Sequence, residues 1–117
     1  MKCLFWNLRG IANPPTKLAL KRLLKLYKPD FCFIAKPWMN LARFPVNWFS
    51  RLNLKVFVVN NRNNLIPNLW CICNINLIPQ IITLDDQQVT FTITEDNKVF
   101  AISAVYASTC YIKRRLL

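Results

Sequence analysis

The chain has 117 residues with 16 Lys+Arg against 5 Asp+Glu, a formal charge of 16 − 5 = +11, and that length has room for a single small domain over 1–117. Hydrophobic residues make up 54% and aromatics 13%, too much apolar material for a disordered chain of low hydropathy and high charge. Histidine is absent, which excludes Ser-His-Asp and Cys-His catalysis, imidazole zinc sites and an imidazole general base.

Residues 2–8 form an apolar run of strand length that stops at Arg9 and at Gly10, the only glycine. A lone glycine marks a place where the backbone bends sharply or approaches something closely. Asn13-Pro14-Pro15 reads as a helix start, with Asn13 as N-cap. Leu20, Leu23, Leu24 and Tyr27 then recur on one helical face, Lys17, Lys21, Lys25 and Lys28 form a stripe on another, and Pro29 stops the helix. Phe31–Ala35 is a continuous apolar run, the pattern of a buried strand parallel to the first, so the opening 35 residues make a βαβ unit.

Residues 41–54 carry a weaker helical spacing broken by Pro45 and read as a loop containing a short helix. Strands are expected over Lys55–Asn60, Leu69–Asn74, Leu77–Thr83, Gln88–Thr94 and Lys98–Tyr106, and a helix opening over Ile112–Leu117. Asn60 to Asn64 has the polarity of an exposed loop. Glu95-Asp96-Asn97 suits a three-residue hairpin connection with Asn97 left-handed, and Asp85-Asp86 marks the turn before it. Four of the five acids therefore sit in turn sequence, so the convergent carboxylates that a divalent-metal hydrolase needs are scarce. The charge of +11 suits a polyanion, since neutralising phosphates releases counterions; the basic residues could equally serve to solubilise a hydrophobic chain.

Five cysteines, an odd number, do not make a complete disulfide framework, and a reducing, nuclear or cytosolic compartment fits them better. Cys71 and Cys73 are spaced to share one face of a strand, which reads as core cysteine. Polar Asn7 and Arg9 interrupt the N-terminus before a secretory apolar segment can develop, and no apolar run reaches the roughly 18 residues of a membrane span.

Several segments, in order, resemble a known family: Trp6-Asn7-Leu8-Arg9-Gly10 at a strand end, the basic helix, Phe31-Cys32-Phe33-Ile34-Ala35-Lys36-Pro37-Trp38, Leu69-Trp70-Cys71-Ile72-Cys73, and Val105-Tyr106-Ala107-Ser108. Together they look like the N-terminal half of the endonuclease domain of plant LINE-type (non-LTR) retrotransposons. That domain belongs to the endonuclease/exonuclease/phosphatase superfamily with DNase I and the apurinic/apyrimidinic endonucleases. The resemblance implies a DNase I-like α/β sandwich, with a mixed sheet, an early βαβ unit and later antiparallel strands. It implies Mg²⁺-dependent hydrolysis of a DNA phosphodiester, nicking a target for reverse transcription. Asn7 would help position metal and phosphate, Gly10 would supply a turn, and Tyr106 would offer a hydroxyl near the phosphate. On their own residues, Asn7 could be a strand-end polar group and Tyr106 a core aromatic.

The pattern breaks at its principal metal ligand. Where the family carries Glu before Pro-Trp, this chain has Lys36. At about 4 Å and an effective dielectric of about 20, a divalent ion facing an ammonium meets repulsion on the order of 8 kcal/mol in place of attraction. The family's later Asp-x-Asn and Ser-Asp-His motifs would lie beyond Leu117, so the expectation is a truncated, inactive domain with no Mg²⁺ bound and an uncovered sheet face prone to self-association, in keeping with a mean hydropathy of +0.22. The other readings are a non-enzymatic basic DNA-binding fragment, with Arg9, Lys17, Lys21, Lys25 and Lys28 as backbone contacts, and an unstable remnant. The lysine stripe alone also fits a solvated face or a membrane-surface helix.

Overall fold

Apolar residues on both faces of Phe31–Ala35 place that segment in the middle of a sheet, and a computed structural model, which describes residues 1–106, builds the fold around it. The elements in chain order are β1 (Cys3–Asn7), α1 (Pro14–Tyr27), β2 (Phe31–Ala35), a 3-10 turn (Leu41–Arg43), α2 (Asn47–Ser50), β3 (Leu54–Val59), β4 (Leu69–Asn74), β5 (Gln80–Leu84), β6 (Gln88–Glu95) and β7 (Lys98–Val105). Parallel β1 and β2 and antiparallel β4 and β3 form a sheet in the order β1-β2-β4-β3, and β5-β6-β7 form an antiparallel second sheet. The βαβ unit is present as expected. Ala107 and Ser108 of the last motif, Cys110 and the helix expected over Ile112–Leu117 lie outside the described residues.

Two cores share the first sheet. On one face Cys32, Ile34, Trp70 and Ile72 pack beneath Leu20 and Leu24 of α1 and Phe44 and Phe49 of the following segment. On the other, Phe31, Phe33, Leu69, Cys71 and Cys73 meet Val89, Phe91, Ile93 and Ala104 of the second sheet. Phe91 joins the layers: its ring lies 5.1 Å from that of Phe31 and 5.0 Å from that of Phe57, separations typical of favourable aromatic pairs. The inner face expected to be uncovered is therefore covered, because β6 and β7 of the second sheet close over it. Edge strands also expose apolar residues: Phe5 of β1 is 47% and Phe100 of β7 is 44% exposed.

Local differences from the sequence reading have local causes. Asn13 precedes α1 in extended conformation, yet its side chain caps nothing; Pro14 and Pro15 have no N–H, which removes two of the donors a cap would serve. Tyr27 is half-exposed and outside the core, and the helix ends at left-handed Lys28, whose N–H reaches the Leu24 carbonyl. The strand expected from Leu77 begins at Gln80, after Pro79 and a turn in which Asn74 accepts from Leu77 and Asn76. The β6–β7 hairpin has a two-residue loop, since Glu95 pairs with Lys98, and Asp96 and Asn97 both take positive φ (52° and 64°), the conformation whose twist matches paired strands. Asp85 is a turn residue as expected: its carboxylate accepts from the N–H groups of Gln87 and Gln88.

Candidate functional site

At one end of the sandwich the chain leaves β1 and β2 side by side, because Asn7 is in register with Ala35. The backbone there is tightly held. Leu8 N–H donates to the Ala35 carbonyl, Gly10 N–H to Lys36 and Ile11 N–H to Pro37, each at 2.8–2.9 Å. Arg9, Lys36 and Trp38 all occupy left-handed φ (55°, 51° and 52°), a costly conformation for residues with side chains that persists where neighbours over-determine it. Gly10 has φ +109°, and a methyl added there would meet the Trp38 ring at 3.4 Å, an ordinary contact. Its glycine is required by conformation rather than by space.

Lys36 follows the last residue of β2, and its N–H donates to the Asn68 carbonyl at 2.9 Å. Its ammonium lies 5.8 Å from the centre of the Tyr106 ring, within cation–π reach. Tyr106 follows β7, and its own N–H is fixed on the Gln87 carbonyl at 2.8 Å. The ends of both sheets thus converge, and Lys36 and Tyr106 are half-buried while Asn7 and Arg9 are exposed. Asn7 makes no side-chain hydrogen bond among the described residues.

Behind Lys36 stands a group that sequence reasoning missed. Asn60, read as the start of an exposed loop, is 1% exposed. Its Oδ1 accepts from the N–H groups of Asn68 and Leu69, and its Nδ2 donates to Asn68 Oδ1 and to the Asp86 carbonyl. One amide thereby links the end of β3, the start of β4 and the turn between β5 and β6, and it orders the Asn68 segment on which Lys36 rests. The signal available was the Asn-rich run itself, whose members differ only in tertiary placement.

The basic residues divide. Arg9 belongs to the Lys36 end. Lys17 Nζ sits 5.9 Å over the Phe44 ring, and Lys21, Lys25 and Lys28 follow α1 away from it. Among the described residues no group of three His, Cys, Asp or Glu could hold a metal ion. The buried thiols are inert: burial pushes Cys32 up to about 12 and Cys73 up to about 11. Burial, helped by nearby Cys32, pushes Cys71 up to about 12. All three are free, as is exposed Cys3. No described helix is long and apolar enough to cross a membrane.

No protein-family model matches the sequence, and no curated protein does. Solved structures do. The endonuclease domain of TRAS1, a telomere-specific non-LTR retrotransposon, superposes with a TM-score of 0.66 at 15% identity, over 98% of this chain and 50% of that one. The 3'-5' exonuclease NExo from Neisseria meningitidis gives 0.64 at 16% identity, over 92% of this chain and 41% of that one. The same values hold for NExo (D146N), described as a 3' phosphatase, bound to a product DNA hairpin. The fold is DNase I-like, as the motif order implies, and this chain spans half or less of the length of those structures.

Proposed function

We propose that this chain is an endonuclease-like module of the non-LTR retrotransposon type that grips DNA through its phosphates and does not hydrolyse it. Lys36 carries the reading. Its ammonium, half-buried beside Tyr106, occupies the position where the resemblance calls for a metal-binding carboxylate. Among the described residues, the groups that the resemblance assigns to this end are an amide, a phenol and an ammonium, a set that does not fit magnesium, which takes carboxylate and water oxygens in a near-ideal octahedron. The residues present suit a different task. Lys36, held by its backbone on Asn68, can pair with a phosphate oxygen; the Asn7 amide and the Tyr106 hydroxyl can each donate to the same group; Arg9 adds charge beside them.

The net charge of +11 supports a polyanionic partner, and one fold neighbour is described with a DNA hairpin. The unpaired thiols support a reducing, nuclear or cytosolic setting.

Supercoiled plasmid incubated with Mg²⁺ is expected to stay intact with or without EDTA, while gel shifts detect binding that weakens steeply with salt. Nicking that EDTA and Asn7→Ala both abolish overturns the inactivity, and no binding at low salt overturns the DNA grip.

A further inference from the structure

The lysines of α1 lead away from Lys36 into a second basic region. Lys25 and Lys28 face Arg51 across a cleft of about 500 Å³ between the end of α1 and the residues after α2. A recess of about 130 Å³ continues it, lined by Lys21, Lys25, Trp48, Arg51 and Leu52. Among the described residues no carboxylate lines either cavity. Lysines near a helix C-terminus are favoured by its dipole, but that explains neither Arg51, which comes from another element, nor Lys21, nearly two turns back. Leu24 and Leu52 give the cleft an apolar wall, which concentrates the field of the cations above it.

Trp48 gives the region its second feature. The ring is half-buried and fixed by edge contacts with Phe44 at 5.5 Å and Phe49 at 4.9 Å, so it offers a pre-set flat surface beside three cations. Cations that track a backbone, next to an aromatic platform, are the combination that holds single-stranded nucleic acid. The geometry points to a second nucleic-acid site between α1 and α2, which takes successive phosphates of a single strand on Lys25, Lys28 and Arg51 and stacks a base on Trp48. It is separate from the Lys36 end. Pro29 lines the cleft and Lys36 lies seven residues on along β2, a separation of about 23 Å for extended chain.

The test is fluorescence anisotropy of the full chain with a labelled oligothymidylate of about twelve nucleotides, titrated with salt. The triple variant Lys25→Glu, Lys28→Glu, Arg51→Glu is expected to lose about tenfold or more in affinity and to flatten the salt slope by about 2, three phosphate contacts at about 0.7 each. Trp48→Leu is expected to weaken binding severalfold and to abolish the tryptophan quenching that accompanies it. Lys98→Ala, on the exposed β6–β7 hairpin, should leave binding of this oligonucleotide largely intact, and the effect of Lys36→Ala on duplex binding should persist in the triple variant, which separates the site from the DNA grip proposed above. Should charge reversal disturb folding by circular dichroism, the Gln triple at the same positions replaces it, with the same expected direction. Unchanged affinity in the triple variant overturns the proposal. So does an equal loss of binding through Lys98→Ala, or binding to phosphatidylserine vesicles with none to the oligonucleotide.

Discussion

The Lys36 ammonium stands 5.8 Å from the centre of the Tyr106 ring, so one cation–π contact joins the end of β2 in the first sheet to the end of β7 in the second. Removing the ring by Tyr106→Leu should cost about 1 kcal/mol in urea unfolding. Tyr106→Phe keeps the ring, and should leave the unfolding midpoint in place while reducing duplex DNA affinity through loss of the phenolic donor. Equal effects of both variants on stability would exclude the contact as the cause.

Lys36→Ala should weaken binding to a short duplex and reduce the slope of log affinity on log salt by about 0.9, the share of one phosphate. Measured beside Arg9→Ala, it tells whether the two cations of this end act on separate phosphates, in which case their slope changes add.

Gly10→Ala should destabilise the fold by about 1–3 kcal/mol, since φ +109° is a conformation L residues adopt only with strain. A chemical denaturation curve with unchanged m-value and a lower midpoint is the expected result. An unaltered midpoint would mean that the β1–α1 turn relaxes freely.

Asn60→Leu should cost about 2–4 kcal/mol, because it takes the acceptor from the N–H groups of half-buried Asn68 and buried Leu69. Amide hydrogen exchange offers a direct reading: protection at Leu69 should fall before protection at Ile72 does.

The buried thiols predict an alkaline loss of stability. Cys32 and Cys71 are protonated in the native state up to about 12, whereas an unfolded thiol ionises near its ordinary 9.0. Above about pH 9 the unfolded state therefore binds fewer protons than the native state, and stability falls as pH rises, by about 1.4 kcal/mol per unit for each thiol until the native groups titrate. Below pH 9 these thiols add no pH dependence. Urea midpoints measured from pH 7 to pH 10.5 check this, with Cys32→Ala expected to flatten the alkaline limb.

Strand positions were legible where burial was uniform. Phe31–Ala35 and Leu69–Asn74 are continuous apolar runs, and they lie where such runs must lie, in the centre of a sheet covered on both faces. The Asn7, Lys36 and Tyr106 grouping was legible only through motif order, since these residues are far apart in sequence and no periodicity connects them. Asn60 escaped because a polar residue in a polar run looks solvated; its burial depends on Asp86, 26 residues away. The second sheet's cover over Phe31 and Phe33 was missed for a related reason. The sequence of β6 alternates apolar and polar residues, which reveals one buried face without naming what faces it. Trp48 and Arg51 carried no signal of a shared site along the chain, and they meet Lys25 only where the segment of α2 and the residues after it line one recess with α1.

The tight Asp96-Asn97 turn bears on the order in which this chain acquires structure. Its two left-handed residues pre-set the register of β6 and β7, so that hairpin needs no distant contact to begin and belongs to the microsecond class of folding events. The β1–β2 ladder is the opposite case, pairing Cys3 with Phe31 across 28 residues and an intervening helix, and loop closure of that length is an entropic barrier. The later strands therefore offer Phe91 as a ready surface on which the earlier half of the fold, with its longer loop to close, can settle.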